Sequence, residues 1–260
     1  MTPFGPDDQP CTRAESCVIA CADTWRGAGE IMASPFGTIP SLGARLAKST
    51  FAPDLVLTDG EAALMVGAPP IATGPADVVR EAAMPYRTVF DVVWSGRRHI
   101  MMMASQIDRS GNQNISAIGD HRHPDVQLIG VRGAPGNSVN HPTSYWVPDH
   151  SVRSFVEHVD VVSGVGYARA AAAGAGATRF HDVRRVVSNL GVFDFDTPDR
   201  SMRVRSYHPG VSVDEIVRAT SFTLSIPDDV QETRAPTAAE LQLLRTVLDP
   251  GSLRDRDVKR

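Results

Sequence analysis

Apolar residues fall at Ala14, Cys17, Val18, Cys21, Ala22 and Trp25, the i, i+3, i+4, i+7 spacing of a helix with one buried face. The pattern predicts an amphipathic helix over residues 13–26, stopped by Gly27 and Gly29. The short run GEIMAS predicts a strand, and residues 41–49 a second helix with Ser41 as its N-cap. DLVLT, residues 54–58, carries a continuous apolar run between turn residues, as a parallel strand buried on both faces would. Helical spacing returns over residues 88–94, and HIMMMA at 99–104 is a second buried run. QLIGVR, FVEHVDVVSG, RRVVSNLGVFDF and MRVRSY are rich in β-branched residues and read as strands. Two late helices are predicted over 213–219 and 237–247, the second with Leu241, Leu244 and Val247 on one side. Strands alternating with helices in the first half predict an α/β fold around an open, mostly parallel sheet. Closer spacing of strands after Asp160 predicts mixed or antiparallel additions in the C-terminal half.

A chain of 260 residues, 42% of them hydrophobic, can bury a substantial core. We read residues 1–260 as a single domain, with 1–12 as a flexible tail. A formal charge of −4 offers no basic surface for nucleic acid or an anionic membrane. The apolar stretches fall far short of the ~20 residues that cross a bilayer. MTPFGPDDQP lacks the basic and apolar parts of a secretory signal. Cys11, Cys17 and Cys21 crowd into the first helix region, and Cys17 and Cys21 stand one helical turn apart, poor geometry for a disulfide. Reduced thiols in a cytoplasmic protein are expected. No metal is assigned, because no histidine lies near these cysteines.

His121 and His123 in DHRHPD are spaced i, i+2 in a proline-containing loop and read as exposed polar residues rather than ligands. AAAAGAGA at 170–177, downstream of Gly164 and Gly166, misses the G-x-G-x-x-G spacing of a phosphate loop and reads as a flexible surface loop. Two other loops carry candidate chemistry. QIDRSGNQN, residues 106–114, follows HIMMMA and brings the amide groups of Gln106 and Asn112; VRGAPGNSVNHPTSYW, residues 131–146, follows QLIG. Open α/β sheets bind ligands beyond the carboxyl ends of their strands. Both loops are therefore expected along one crevice edge with TDGEA, residues 58–62. Gly133 and Gly136 would let backbone N–H groups converge on an oxyanion or thioester carbonyl. A plain Pro-Gly turn has the same sequence.

QIDRSGNQNIS, GVRGAPGN, FVEHVDVVSG, VVSNLGVFDF and HPGVSVDEIVRATSF, in that order, resemble the β subunit of class I coenzyme A transferases. PFGTIPSLGARLAKSTFAPDLVLTDGEA, GRRHIMMMASQIDRSGNQNIS and NHPTSYWV are similar, more narrowly, to the β subunit of the cholesterol ring-cleaving CoA hydrolases of steroid-degrading bacteria. The resemblance implies the CoA-transferase sandwich and an α-subunit partner, in a heterodimer or an α2β2 heterotetramer. It implies opening of the last steroid ring: water adds to a cyclohexenone carboxyl-CoA thioester and a carbon–carbon bond breaks. Coenzyme A enters as part of the substrate, and no permanently bound cofactor is implied.

Class I transferases carry a glutamate in a Ser-Glu-Asn-Gly setting after the strand that matches DLVLT, and its carboxylate attacks the acyl-CoA. This chain has Thr58-Asp59-Gly60 there. Asp59 is one methylene shorter, and a displacement of about 1 Å can cost ~100-fold. Glu61 has the right length but stands two residues away. Hydrolysis is therefore expected over transfer, and the resemblance to the ring-cleaving hydrolases implies that the main base lies on the α subunit. Asp59 and Glu61 stay as catalytic candidates, although Asp59 before Gly60 fits an Asx turn better. Arg132 is expected to pair with a substrate carboxylate in bidentate fashion; an internal ion pair suits it equally. Gly133, Ala134, Gly136 and Asn137 are expected to donate to the substrate, with His141, Ser144, Tyr145, Gln106 and Asn112 in the same pocket. Two other functions fit the resemblance: a CoA transferase of unknown acid specificity, and a non-catalytic ligand-sensing subunit.

Overall fold

The computed structural model describes residues 10–60, 62–74 and 76–258. Of the expected tail, residues 1–9 lie outside the described residues, while Thr12 already caps the first helix. That helix, α1 (Arg13–Asp23), opens with a capping box in which Thr12 Oγ1 accepts the Glu15 N–H and the Glu15 carboxylate accepts the Thr12 N–H. Strand β1 (Met32–Pro35) and helix α2 (Thr38–Ser49) follow, then a small antiparallel sheet of β2 (Leu57–Thr58), β3 (Ala63–Met65) and β4 (Arg80–Ala83). Helix α3 (Tyr86–Ser95) leads into β5 (Arg98–Met103). Two hairpins come next, β6 (Gln106–Ile107) with β7 (Gln113–Asn114), and β8 (Ala117–Asp120) with β9 (His123–Gln127). Helix α4 (Ala134–Asn140) precedes β10 (Pro142–Val147); α5 (Tyr167–Ala173) and α6 (Ala175–Thr178) precede β11 (Asp182–Ser188). The chain closes with β12 (Gly191–Asp194), β13 (Arg203–Tyr207), α7 (Val213–Arg218), β14 (Gln231–Glu232) and α8 (Ala238–Leu243), which continues into a wider turn over Leu244–Leu248.

Seven strands form the main sheet in the order β1-β5-β10-β11-β12-β13-β14. The pairs β1–β5, β5–β10 and β10–β11 are parallel; β11–β12 and β12–β13 are antiparallel. The expected mostly parallel sheet with mixed strands in the C-terminal half is thus present. Successive side chains of a strand face opposite sides, and the core divides accordingly. Met101 and Trp146 pack with Cys17, Cys21, Trp25 and Leu42 beneath α1 and α2. Ile100, Met102 and Tyr145 pack with Phe155 and Phe193 on the other face. All three cysteines are free thiols, and Cys17 and Cys21 are buried. Among the described residues no helix is long and apolar enough to cross a membrane.

Several local expectations are corrected. DLVLT does not pair along its length: Val56 makes one parallel bridge to Met32, then Leu57 and Thr58 leave for the antiparallel ribbon. The turn chemistry of Asp59 and Gly60 sets that departure. QLIG is no strand of the main sheet, because Gln127 ends β9 and Leu128 is held by Ser116 O. FVEHVDVVSG is irregular, touching neighbours through isolated bridges at Phe155 and Gly164, while Asp160 is bonded to the Gln106 side chain. Residues 170–177 are two short helices parted at Gly174 (φ 89°), following alanine's high helix propensity. Helix α2 starts at Thr38, with Gly37 rather than Ser41 as its cap.

Glu15, fully buried, receives Arg245 Nε at 2.7 Å, Arg245 Nη2 at 2.9 Å and Arg254 Nη2 at 3.1 Å. Arg254 also holds Asp249 at 2.9 Å. Burial works to raise the Glu15 pKa, but hydrogen bonds from Arg245 and Thr12 outweigh it and hold the carboxyl below its ordinary value. Glu15→Gln is expected to lower the unfolding free energy by about 3–5 kcal/mol in urea titrations at neutral pH, since it leaves buried arginine charge uncompensated. A depressed carboxyl stabilises above its ordinary pKa and loses that contribution as pH falls through the folded value. The gap between variant and wild type should therefore narrow in acid.

Candidate active site

Parallel pairing brings the carboxyl ends of β1, β5 and β10 to one edge of the sheet, and β2 reaches the same edge because Val56 runs parallel to Met32. Helix α2 leaves this edge through Phe36 and Gly37. Gly37 has φ 95°, a conformation that L side chains rarely adopt. No side chain caps α2, and Pro40 contributes no N–H to its first turn. The amide groups of Thr38 and Ile39 precede the first intrahelical bonds. They stand at the positive end of the helix dipole, where negative charge is favoured. A Cβ on Gly37 would lie 3.5 Å from Met103 Sδ, so this turn meets the end of β5. Phe36 and Met103 are exposed there and give the edge an apolar lining. Gln113 Nε2 donates to Met103 O at 2.6 Å and fixes that strand end. Pro40, tolerated only in a helix's first turn, is the sequence signal that the helix starts before Ser41.

Asp59 forms the turn between β2 and β3. Its Oδ1 accepts the N–H groups of Ala62 and Ala63, both at 3.0 Å, and its Oδ2 lies 3.7 Å from Arg80 Nε. Gly60, at φ 84°, completes the bend. The side chain thus closes the bend across three and four residues; the Glu61 N–H that an Asx turn engages lies outside the described residues. The same residue lines a cavity of about 130 Å³ with Arg45, Met65, Ile71 and Val78. Glu61 lies outside the described residues.

Helix α4 packs against β10. Arg132 stands just before it with φ 50°, the left-handed region. It is exposed and forms no ion pair among the described residues. A non-glycine residue held there marks local strain of the kind that gathers at ligand sites. Gly133 is the N-cap of α4 and Ala134 is buried beneath it. Gly136 lies within the helix, and a Cβ on it would meet nothing within 4 Å. Residues 133–137 therefore make a helical turn, with Pro135 starting it, instead of a nest of converging amides.

The remaining candidates are placed in the scaffold. Asn137 is buried; its Oδ1 accepts from Arg98 Nη1 at 3.1 Å, and its Nδ2 meets Met102 Sδ at 3.7 Å. His141 is buried at the amino end of β10, where desolvation pushes its pKa down to about 4. Ser144 is buried with its Oγ 2.9 Å from His99 Nε2. Tyr145 is fully buried on the opposite face of the sheet, and burial raises its phenol pKa. Gln106 donates to Asp160 Oδ2 at 3.0 Å, while its Oε1 accepts from Asn114 Nδ2 at 2.7 Å and from the Asp160 N–H at 3.0 Å. Asn112 bridges Asp108 Oδ2 at 2.8 Å and the Gly166 N–H at 2.8 Å. Both carboxamides thus shape the β6–β7 region. Asn112 also lines a cavity of about 420 Å³ with Asp108, Arg109, His158 and Arg169. Among the described residues no three His, Cys, Asp or Glu side chains gather to hold a metal ion.

Asp59 and Gly136 give a direct test of these placements. Asp59→Ala should speed hydrogen exchange at the Ala62 and Ala63 amides about fivefold, the equivalent of ~1 kcal/mol for a hydrogen bond. Asp59→Asn keeps an acceptor and should leave both amides protected. Gly136→Ala should raise stability by about 0.5–1 kcal/mol, as alanine does in a helix interior.

The family model for coenzyme A transferase matches residues 31–219. The cholesterol ring-cleaving hydrolase IpdB subunit of Rhodococcus jostii RHA1 is 56% identical over 247 residues, covering 95% of this chain and 96% of that one. The subunit of the same name from Mycobacterium bovis is 54% identical over 248 residues, covering 95% and 99%. The crystal structure of Rhodococcus jostii RHA1 IpdAB matches with a TM-score of 0.92 at 54% identity, over 97% of this chain and 100% of that chain. The edge at Phe36, Gly37 and the Asp59 turn thus lies in a chain that belongs to the coenzyme A transferase family.

Proposed function

We propose that this chain is the β-type subunit of a two-subunit hydrolase that opens the last steroid ring of a cyclohexenone carboxyl-CoA thioester. The observation that carries the reading is an edge with donors and apolar lining whose carboxylate, Asp59, is already engaged by two backbone amides. The relatives named as cholesterol ring-cleaving hydrolase subunits support the same substrate class. A transferase needs a carboxylate able to attack the thioester, and Asp59 is held by the turn it makes.

On this reading a base on the α subunit takes a proton from water, and the hydroxide adds to a ring carbonyl carbon. The bond from that carbon to its neighbour then breaks. Its electron pair passes into an enolate, which takes a proton, and a new carboxylate remains; one water is consumed. The Thr38 amide, at the accessible start of α2, stabilises the developing negative oxygen, as preorganised donors do in a water-poor site. Phe36 and Met103 pack against the ring. Arg132 pairs with a substrate carboxylate, while Gly133 and the Asn112 loop wall the coenzyme A chain. Coenzyme A belongs to the substrate, and the assembly works in the cytoplasm.

The test is turnover of the thioester by this chain, by the α subunit and by the two together. Only the mixture should be active, and robust turnover by this chain alone would sink the reading. Within the complex, Arg132→Lys should raise KM about tenfold or more with a smaller change in kcat, because lysine loses the bidentate fork. Asp59→Asn should keep kcat/KM within about tenfold. Acyl-CoA treatment followed by borohydride and intact-mass analysis should show no adduct on Asp59 or Glu61.

A further inference from the structure

Helix α3 is ten residues long and none of them is buried. Tyr86, Phe90 and Trp94 follow one another at i, i+4 and i+8, so they form one stripe along the helix. They are 81%, 46% and 71% exposed, and the Tyr86 and Phe90 rings meet edge to face at 5.2 Å. The inner side of α3 is different: Thr88 and Val92 face a shallow groove of about 200 Å³ with Ile31, Leu64 and Met84. An amphipathic surface helix turns its polar side outward. This one turns its three aromatic rings outward.

A second feature lies beside it. All four residues of β4 are exposed, and among the described residues β4 pairs only with β3. Its outer backbone edge is an open template for another chain. Val66 and Val79, joined by a backbone hydrogen bond at 3.0 Å, add two exposed valines to the same small sheet. The three rings alone offer on the order of 300–400 Å² of apolar surface. That already reaches the largest patch usual on a monomer, about 300–600 Å². It is also close to half of the ~800 Å² that each partner contributes to a stable complex.

We infer that the outer face of α3 and the open edge of β4 are the seat of the complementary α subunit, an inference that rests on the two-subunit reading. Position selects this occupant over a second copy of the chain. The Met84 N–H bonds to Ala62 O in the Asp59 turn, and α3 begins two residues later, so this face is continuous with the mouth of the crevice. A protein seated on it reaches that mouth. The chain that must bring a base to the mouth is the α subunit. A second copy docked by twofold symmetry would set two mouths against each other, each with Asp59 engaged in its turn.

Trp94 is a built-in reporter, because Trp25 and Trp146, the chain's other tryptophans, are fully buried. Acrylamide quenching of the wild-type chain should fall about threefold or more when the α subunit is added, as water is excluded from the stripe. Tyr86→Asp with Phe90→Asp, which keeps the reporter, should weaken heteromer formation about 30-fold or more by titration, the scale of losing interface aromatics. The far-ultraviolet spectrum and urea midpoint of the variant should match those of the wild type. Heteromer formation that leaves Trp94 quenchable, or a variant that binds as tightly as wild type, overturns the inference while the two-subunit reading stands. Protection of Trp94 by self-association of the chain alone, with the α subunit then binding elsewhere, assigns the face to a second copy and overturns it as well. Failure of the wild-type chain to bind any α subunit removes both.

Discussion

Parallel pairing of β1, β5, β10 and β11 is the constraint from which the rest of the molecule follows. A parallel strand needs a crossover before the next, and crossovers cover the sheet's faces. Two core layers result, one beneath α1 and α2 and the other around Phe155, Tyr145 and Phe193. The same geometry sends each strand's carboxyl end to one edge and returns the helix amino ends there. Gly37 and the Asp59 turn reach that edge by two separate routes through the chain, each fixed by the strand direction. Donors therefore collect where a substrate can enter, without any of these residues being close in sequence.

Legibility in the sequence followed how local the cause was. The α1 stripe is legible from its helical period, and HIMMMA and RRVVSNLGVFDF read as strands from their apolar and β-branched composition, although the turn that parts the latter into β11 and β12 is not read. DLVLT was misread as one strand because its departure depends on hydrogen bonds from Asp59 to Ala62 and Ala63. FVEHVDVVSG has strand composition, yet the Gln106 carboxamide and Asp160 hold it in another shape. At the site, Asp59 before Gly60 was readable as a turn. The left-handed backbone of Arg132 was not, since arginine carries no local preference for it. Ser144 and Tyr145 were drawn into the pocket by their polar groups. Their position on a strand buried on both faces is a property of the sheet.

Buried polar chemistry bears on which chain supplies the base. His141, His150 and His208 are all buried, and desolvation pushes their pKa values down to about 4, 3 and 4. His150 lies within hydrogen-bond reach of Ser188 and Thr220, stacked on Phe155; His208 lies within reach of Thr233 and the Ser188 carbonyl. A base works best when its pKa lies near the working pH. These imidazoles are both too weakly basic and too enclosed for that task. Their chemistry is structural: they satisfy polar groups at the ends of β10, β11 and β13.

The Glu15 cluster also sets the order in which the molecule can be completed. Its bonds to Arg245 and Arg254 span 230 and 239 residues of sequence. The buried carboxylate of α1 meets its arginines only when the long stretch of chain between them has been brought together. Contacts of such separation form late, because the loop they close must be ordered first. Helix α1 is thus locked late, and until then its surface toward Arg245 and Arg254 is open to solvent.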